Sequence, residues 1–191
     1  VWARYTDLVV ERAAGSWLET PDGERYLDYT CGIGVTNTGH AHPRVVAAIA
    51  EQAAKGIHLQ QNILYHQPGL ELHHRLPERF PNARAGEAYG LFLSNSGAEA
   101  VEAAVKLAKY VTRRPIVIAF RGGFHGRTHG AMALTSSSVK YRAHFEPLMG
   151  GVHFVPYPYP LRMGGEEAAL ATTMGAIEDL FATLVSPDDV A

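Results

Sequence analysis

Two arrangements of apolar positions divide the chain. Up to about residue 30 the apolar residues come in short runs around Leu8–Ala13, Ser16–Glu19 and Arg25–Tyr29, with Pro21, Asp22 and Gly23 between the last two. Those turn residues suit a tight reversal, so the three runs predict an antiparallel meander. From Tyr89 onward, runs of strand length alternate with stretches of helical period. Leu91-Phe92-Leu93, Pro115–Phe120 and Gly151–Pro156 read as strands. Val101, Ala104, Val105, Ala108 and Val111 mark one helix, and Leu170, Met174, Ile177, Leu180 and Phe181 the inner side of another over Glu166–Leu184. Strand and helix in alternation imply a mainly parallel sheet covered by helices, with the first run lying beside Pro115–Phe120. The expectation is an α/β fold: a small α+β segment over 1–81, then the opening of a larger α/β domain over 82–191.

Between these halves, Pro43 starts a helix with Val45, Val46, Ile49 and Ala53 on one side and Gly56 at its end. A second helix is predicted over Gly69–Phe80, where Pro77 signals a break. Thr30–His40 is rich in glycine and fits neither period, so it predicts a loop with unusual backbone angles. Its glycines do not match a dinucleotide fingerprint.

The densest chemistry follows the first α/β strand. Ser96 with Glu99 three residues on is a capping-box start to the 101–111 helix. The first amides of a helix have no partner within it and carry the positive end of its dipole, so strand, turn and helix in this order can hold a phosphate. Gly97 permits close approach and Ser96 adds a hydroxyl. The same residues also fit an ordinary capped helix, and spacing alone does not choose between the two. Arg121–Thr128 packs Gly122, Gly123, Gly126, Phe124, His125 and two arginines into one short loop.

Composition narrows the classes of partner. The chain has 191 residues, 47% of them hydrophobic, and a net charge of −2, with no Lys/Arg-rich run. A nucleic-acid surface is not expected, and no apolar stretch approaches the roughly 20 residues of a membrane span. The single cysteine, Cys31, excludes an internal disulfide framework and predicts a reducing, cytoplasmic setting, with the thiol itself a packing residue. Ten histidines are present, but His40/His42 and His73/His74 lack metal-closing spacing, so no metal site is predicted. The chain opens at Val1 without methionine and stops just after Ser186-Pro187-Asp188-Asp189, and we expect it to be part of a longer protein.

Asp28-Tyr29 through Asn37-Thr38-Gly39-His40-Ala41-His42-Pro43, Asn95-Ser96-Gly97-Ala98-Glu99-Ala100-Val101-Glu102 and Phe124-His125-Gly126-Arg127-Thr128 together resemble the class III pyridoxal-phosphate aminotransferases, in that family's order and spacing. The resemblance runs from about Leu8 to the end. It implies the fold type I architecture, pyridoxal 5'-phosphate as cofactor, amino acid and 2-oxo acid substrates, and a homodimer. On matching positions it implies that Ser96, Gly97 and Ala98 hold the cofactor phosphate, Phe124 stacks on the ring with His125 beside it, and Arg127 takes a substrate carboxylate through its guanidinium fork. A packed histidine is an equal reading of His125. Ile33 falls where the family faces the substrate; an apolar residue there is similar to the 4-aminobutyrate and acetylornithine branches and points to an ω-amino donor, while simple packing also explains it. The family's Schiff-base lysine has no counterpart among Lys55, Lys106, Lys109 and Lys140, so no catalytic residue is assigned; Lys106 is expected to form a surface pair with Glu102. The chain by itself would then be inactive. An aminomutase or decarboxylase of the same family, or a non-catalytic phosphate-binding piece, are the alternatives.

Overall fold

A computed structural model describes residues 5–80 and 89–191, which fall in two compact units, Val1–Glu87 and Ala88–Ala191. The boundary expected near residue 81 lies outside the described residues.

In the first unit, β1 (Arg12–Ala14), β2 (Trp17–Glu19) and β3 (Arg25–Leu27) form the antiparallel meander that the short runs predict, in the order β1-β2-β3. Leu18 faces Ala13 on one side and Tyr26 on the other. The strands are shorter than the apolar runs, and Leu8 to Val10 add nothing to the ladder. The β2–β3 reversal is tied by buried Thr20, whose hydroxyl bonds Asp22 and accepts from the Glu24 amide at 3.1 Å. Gly15 and His40 exchange backbone hydrogen bonds of 2.9 and 2.8 Å, which brings the Thr30–His40 loop back onto the sheet. Gly39 is required there: at φ 79° a Cβ would also come within 3.1 Å of the Gly15 backbone.

The helix α2 (Pro43–Lys55) begins at Pro43 as the sequence predicts, with the His42 side chain accepting from the Arg44 amide. Its apolar side is real but uncovered, Ile49 being 63% exposed. The next helix, α3 (Gln67–Arg75), starts two residues before the predicted position, capped by the His66 ring, and Pro77 ends it in a single 3-10 turn over Pro77–Arg79.

The second unit is α/β. The helix α4 (Gly97–Thr112) leads to β4 (Val117–Phe120), the short helix α5 (His129–Leu134), β5 (Val152–Val155), the turn-length α6 (Pro160–Met163) and the long α7 (Glu166–Thr183). The strands β4 and β5 are parallel, Val117 opposite Val152 and Phe120 opposite Val155. The other edge of β4 bonds to 189–191, where Ile116 donates to Asp189 and accepts from Ala191. Val155, Leu180 and Val185 form the core between α7 and this sheet, with Ile116, Ile118 and Ile177 against it. At about 1.5–3 kcal/mol per fully buried aliphatic side chain, this cluster is what holds the helix to the strands.

One expectation fails in this unit and another holds only in part. Leu91–Leu93 is not a strand: no described strand pairs with it, and Phe92 is 74% exposed. An apolar run gains strand geometry only where a neighbour accepts its ladder bonds. The inner side of α7 matches the expected one only in its second half, where Leu180 is buried and Ile177 packs against the core. Ala169, Thr173 and Leu180 are buried while Leu170 and Met174 face out. Leu170 and Met174 make a second apolar stripe beside Ala169 and Thr173, so period alone could not select the buried one in the first half of the helix.

Candidate functional site

Ser96 caps α4 as the sequence predicts, its Oγ accepting from the Glu99 amide at 3.2 Å. The Glu99 carboxylate turns back to the Asn95 amide at 2.6 Å, one residue before the usual capping-box partner. These two bonds account for the amides of Asn95 and Glu99. Among the described residues nothing accepts from the amides of Gly97 and Ala98. Two helix-start donors therefore point outward, and a Cβ on Gly97 would meet nothing within 4 Å. The Ser96 hydroxyl, already an acceptor, still has its own proton to donate.

Those donors open into a hollow of about 590 Å3, lined by Gly97, Ala98 and Val101 of α4 and by Phe124 to Thr128. Phe124 is half exposed and meets the Tyr141 ring edge-on at 5.0 Å between centroids. The Arg127 guanidinium lies 5.5 Å over the Phe124 ring and 5.4 Å over that of Tyr141, and among the described residues it has no carboxylate partner. A cation without a counter-ion, an aromatic face and two unpaired amides thus surround one space. His125 is half-buried; its ring folds close to Gly123, and its amide donates to the Thr135 hydroxyl at 2.9 Å. A larger hollow of about 1,000 Å3 lies between Val101, Ala104 and Val105 of α4 and β4, with Tyr157 and Met163 on its far wall. Its walls are mainly aliphatic and aromatic, so the smaller one is where a charged ligand would be oriented.

The loop is built against α4 by close contact. At Gly126, φ is 132° and a Cβ would lie 2.5 Å from that of Ala98. Thr135 is fully buried, and its hydroxyl lies 3.2 Å from the Gly126 carbonyl and 3.0 Å from the Ala131 carbonyl. It holds the His125–Gly126 backbone from below. Glu102 is the other anchor. Rather than pairing with Lys106, its Oε1 accepts from the Thr128 hydroxyl at 2.6 Å and from the Gly130 and Ala131 amides at 3.0 and 3.2 Å. The Thr128 bond, above all, holds its carboxyl below the usual carboxylate range, against the opposing effect of desolvation. Thr135, Tyr141 and this role of Glu102 have no local signature, because each partner lies elsewhere in the sequence.

Ile33 belongs to the first unit. It sits in the turn α1 (Cys31–Gly34), which is wound left-handedly, with φ 48° at Cys31, 59° at Gly32 and Ile33, and 82° at Gly34. A β-branched residue is strained there by about 1–3 kcal/mol. Buried Asp28 stabilises the turn: Oδ1 accepts from the Thr30 amide at 2.8 Å, the Thr30 hydroxyl at 2.7 Å and the Cys31 amide at 3.2 Å, and Oδ2 lies 2.7 Å from His40 Nε2. The Ile33 side chain is 95% exposed, so packing within its unit does not explain it. Cys31 is exposed too, contrary to the packing role expected of it. A four-residue left-handed turn leaves no interior to pack into.

A family profile described as "Aminotransferase class-III" matches residues 1–191. The chain belongs to the class III aminotransferases. Among curated relatives, it is 38% identical to the 4-aminobutyrate aminotransferase GabT of Escherichia coli (strain K12), over 96% of this chain and 42% of that protein. It is 43% identical to an acetylornithine aminotransferase of Streptomyces coelicolor, over 85% of this chain and 39% of that protein. The chain thus spans about two fifths of the length of these relatives. Among solved structures, it superposes on a PLP-bound amine transaminase from an uncultivated Pseudomonas species with a TM-score of 0.85 at 26% identity, covering 97% of this chain and 43% of that one. The α/β fold is therefore that of the PLP-dependent transaminases, and the cofactor of the family is pyridoxal 5'-phosphate. Among the described residues no helix is long and apolar enough to cross a membrane.

Proposed function

We propose that this chain carries the phosphate and ring seat, and one substrate-carboxylate contact, of a transaminase that moves an amino group from an amino acid with an ω-amino donor to a 2-oxo acid. The observation that carries the reading is the pair of amides at Gly97 and Ala98, without an acceptor among the described residues, opening into the same space as Phe124 and Arg127. Ser96, Gly97 and Ala98 would hold the phosphate, Phe124 would lie on the ring face and His125 beside it. When bound, the cofactor supplies an electron-withdrawing ring that takes up the electron pair left as the substrate C–H bond breaks. Arg127 would bind and orient the carboxylate, and Phe124 with Tyr141 keeps its guanidinium in place beforehand. Ile33, exposed and apolar, would exclude water from the aliphatic part of an ω-amino substrate without offering a partner to an α-amino acid head.

Among the described residues no lysine lines the hollow: Lys55 pairs with Glu51 at 2.6 Å, and Lys106 and Lys109 lie on α4 away from its start. The chain by itself would accordingly bind phosphate without turnover. Homodimerisation and a cytoplasmic location belong to the same proposal; the uncovered apolar side of α2 is surface that such an association would bury.

Two measurements test it. Equilibrium dialysis should show the chain binding pyridoxal 5'-phosphate at least about tenfold more tightly than pyridoxal, since only the phosphate can use the helix-start donors. Equal affinity would overturn the seat. The whole protein, given 4-aminobutyrate and 2-oxoglutarate, should form glutamate; recovery of the donor unchanged, or with its amino group moved to another carbon, and no glutamate formed, would overturn the reaction.

A further inference from the structure

Between Gly126 and Thr128 the site loop is attached to α4 at two points. Near the helix start, Gly126 lies against Ala98. One turn further along, Glu102 takes the Thr128 hydroxyl and the Gly130 and Ala131 amides on a single oxygen. Thr128 is the cap residue of α5 yet makes no side-chain capping bond of its own, so the first turn of that helix is capped entirely from α4. The fit is tight, because a Cβ on Gly130 would come within 2.7 Å of the Glu102 carboxyl carbon. Arg127 is the residue between the two attachments, and among the described residues its head is held only by the rings of Phe124 and Tyr141.

We infer that Glu102 is a positioning residue that fixes the height of Arg127 above α4, and so sets affinity for a substrate carboxylate while leaving the phosphate seat alone. The inference rests on the roles proposed above for Ser96 to Ala98 and for Arg127. Its discriminating step is that the start of α4 is capped by Ser96 and Glu99 independently of Glu102. Loss of the Glu102 carboxylate releases Thr128 and two amides of α5, not the donors of Gly97 and Ala98. A residue that merely supported the fold would weaken both ligands together.

The test uses the whole cofactor-loaded protein, with Glu102→Ala, Glu102→Gln and Arg127→Ala. Glutarate, an unreactive dicarboxylate, probes the arginine by calorimetry, and equilibrium dialysis gives the affinity for pyridoxal 5'-phosphate. Glu102→Ala should weaken glutarate at least tenfold and the cofactor less than threefold. Glu102→Gln, which keeps an acceptor oxygen for the two amides, should fall between and also carries the test if the alanine variant does not fold. Arg127→Ala should abolish glutarate binding. Unchanged glutarate affinity in both Glu102 variants, or an equal loss for glutarate and cofactor, overturns the inference alone. A wild-type protein that takes no cofactor, or glutarate binding indifferent to Arg127→Ala, overturns the functional reading and the inference with it.

Discussion

Replacing Gly126 with alanine tests the construction of the site most severely. The new Cβ would stand 2.5 Å from the Ala98 Cβ and 3.0 Å from both the Ala98 Cα and the Ala131 Cβ, where carbon contacts normally settle at about 3.5–4.0 Å. Overpacking of this kind costs about 1–3 kcal/mol. The backbone adds a separate cost, since φ is 132° and a side chain there is strained by about 1–3 kcal/mol. Together they predict a loss of about 2–6 kcal/mol, a large part of the 5–15 kcal/mol that typically holds a domain folded. Urea denaturation of the wild type, Gly126→Ala, Ala98→Gly and the double variant separates the two costs. Ala98→Gly removes the partner Cβ, and the double variant should recover about 1–2 kcal/mol of the clash beyond additivity, while the backbone strain remains. Glycine near the helix start costs up to about 1 kcal/mol by itself, which the cycle cancels. A loss below about 1 kcal/mol in Gly126→Ala, or no coupling, would refute the claim that the loop is seated directly on Ala98.

Ser96→Ala removes both a cap and a proposed phosphate donor; it should cost about 0.5–2 kcal/mol in urea melts and weaken pyridoxal 5'-phosphate about tenfold in dialysis, with pyridoxal unaffected. Arg127→Lys keeps the charge but loses the fork and most of the ring stacking, so glutarate should bind about tenfold more weakly by calorimetry while the cofactor is held as before. Asp28 predicts an acid-labile loop. Its carboxyl is held well below the usual range by the Thr30 hydroxyl first and by His40 next, so its contribution is complete above the unfolded value of about 3.9 and is lost as pH falls through the folded one. The protection of the Thr30 and Cys31 amides, taken as the ratio of intrinsic to observed exchange rate, should fall at acid pH in the wild type, and in Asp28→Asn it should be low already at neutral pH; strong protection in that variant would refute the role.

What the sequence disclosed and what it hid follow from the range of the interactions. The starts of α2 and α4 and the break after α3 were legible because Pro43, the Ser96/Glu99 pair and Pro77 act on the few residues beside them, whereas the His66 cap of α3 was not. The left-handed turn was legible as a glycine-rich stretch without period, although its hand was not. The buried stripe of α7 was legible at Ile177 and Leu180 but not in the first half of the helix, because both Leu170/Met174 and Ala169/Thr173 satisfy a helical period and only tertiary packing decides between them. Leu91–Leu93 failed for the converse reason: strand identity resides in a partner, and the sequence shows only the run. The proposed phosphate seat was half visible, since the cap could be read in the sequence, whereas the lack of an acceptor for the Gly97 and Ala98 amides among the described residues is a property of the folded chain. Glu102 was misread because Lys106 stands four residues away while Thr128 stands 26 residues away.

Asp28 and Glu102 solve the same physical problem in different units. Each loop that presents a proposed substrate contact, Ile33 or Arg127, carries backbone donors that neither a helix nor a sheet can satisfy. Water could satisfy them, but it would leave the loop free to move and the contact without a fixed position. A carboxylate can accept several donors at once and gains from each the larger stabilisation of a charged acceptor. Asp28 gathers three donors and an imidazole from within 12 residues, and Glu102 gathers three across 26 to 29. Both carboxyls are pushed down by the bonds they accept, so both loops are braced at neutral pH and each loosens only as pH falls through the folded value of its own carboxyl. An amide in place of either acid keeps an acceptor oxygen but gives up the charge, which is why the glutamine and asparagine variants, rather than alanine, measure what the charge contributes.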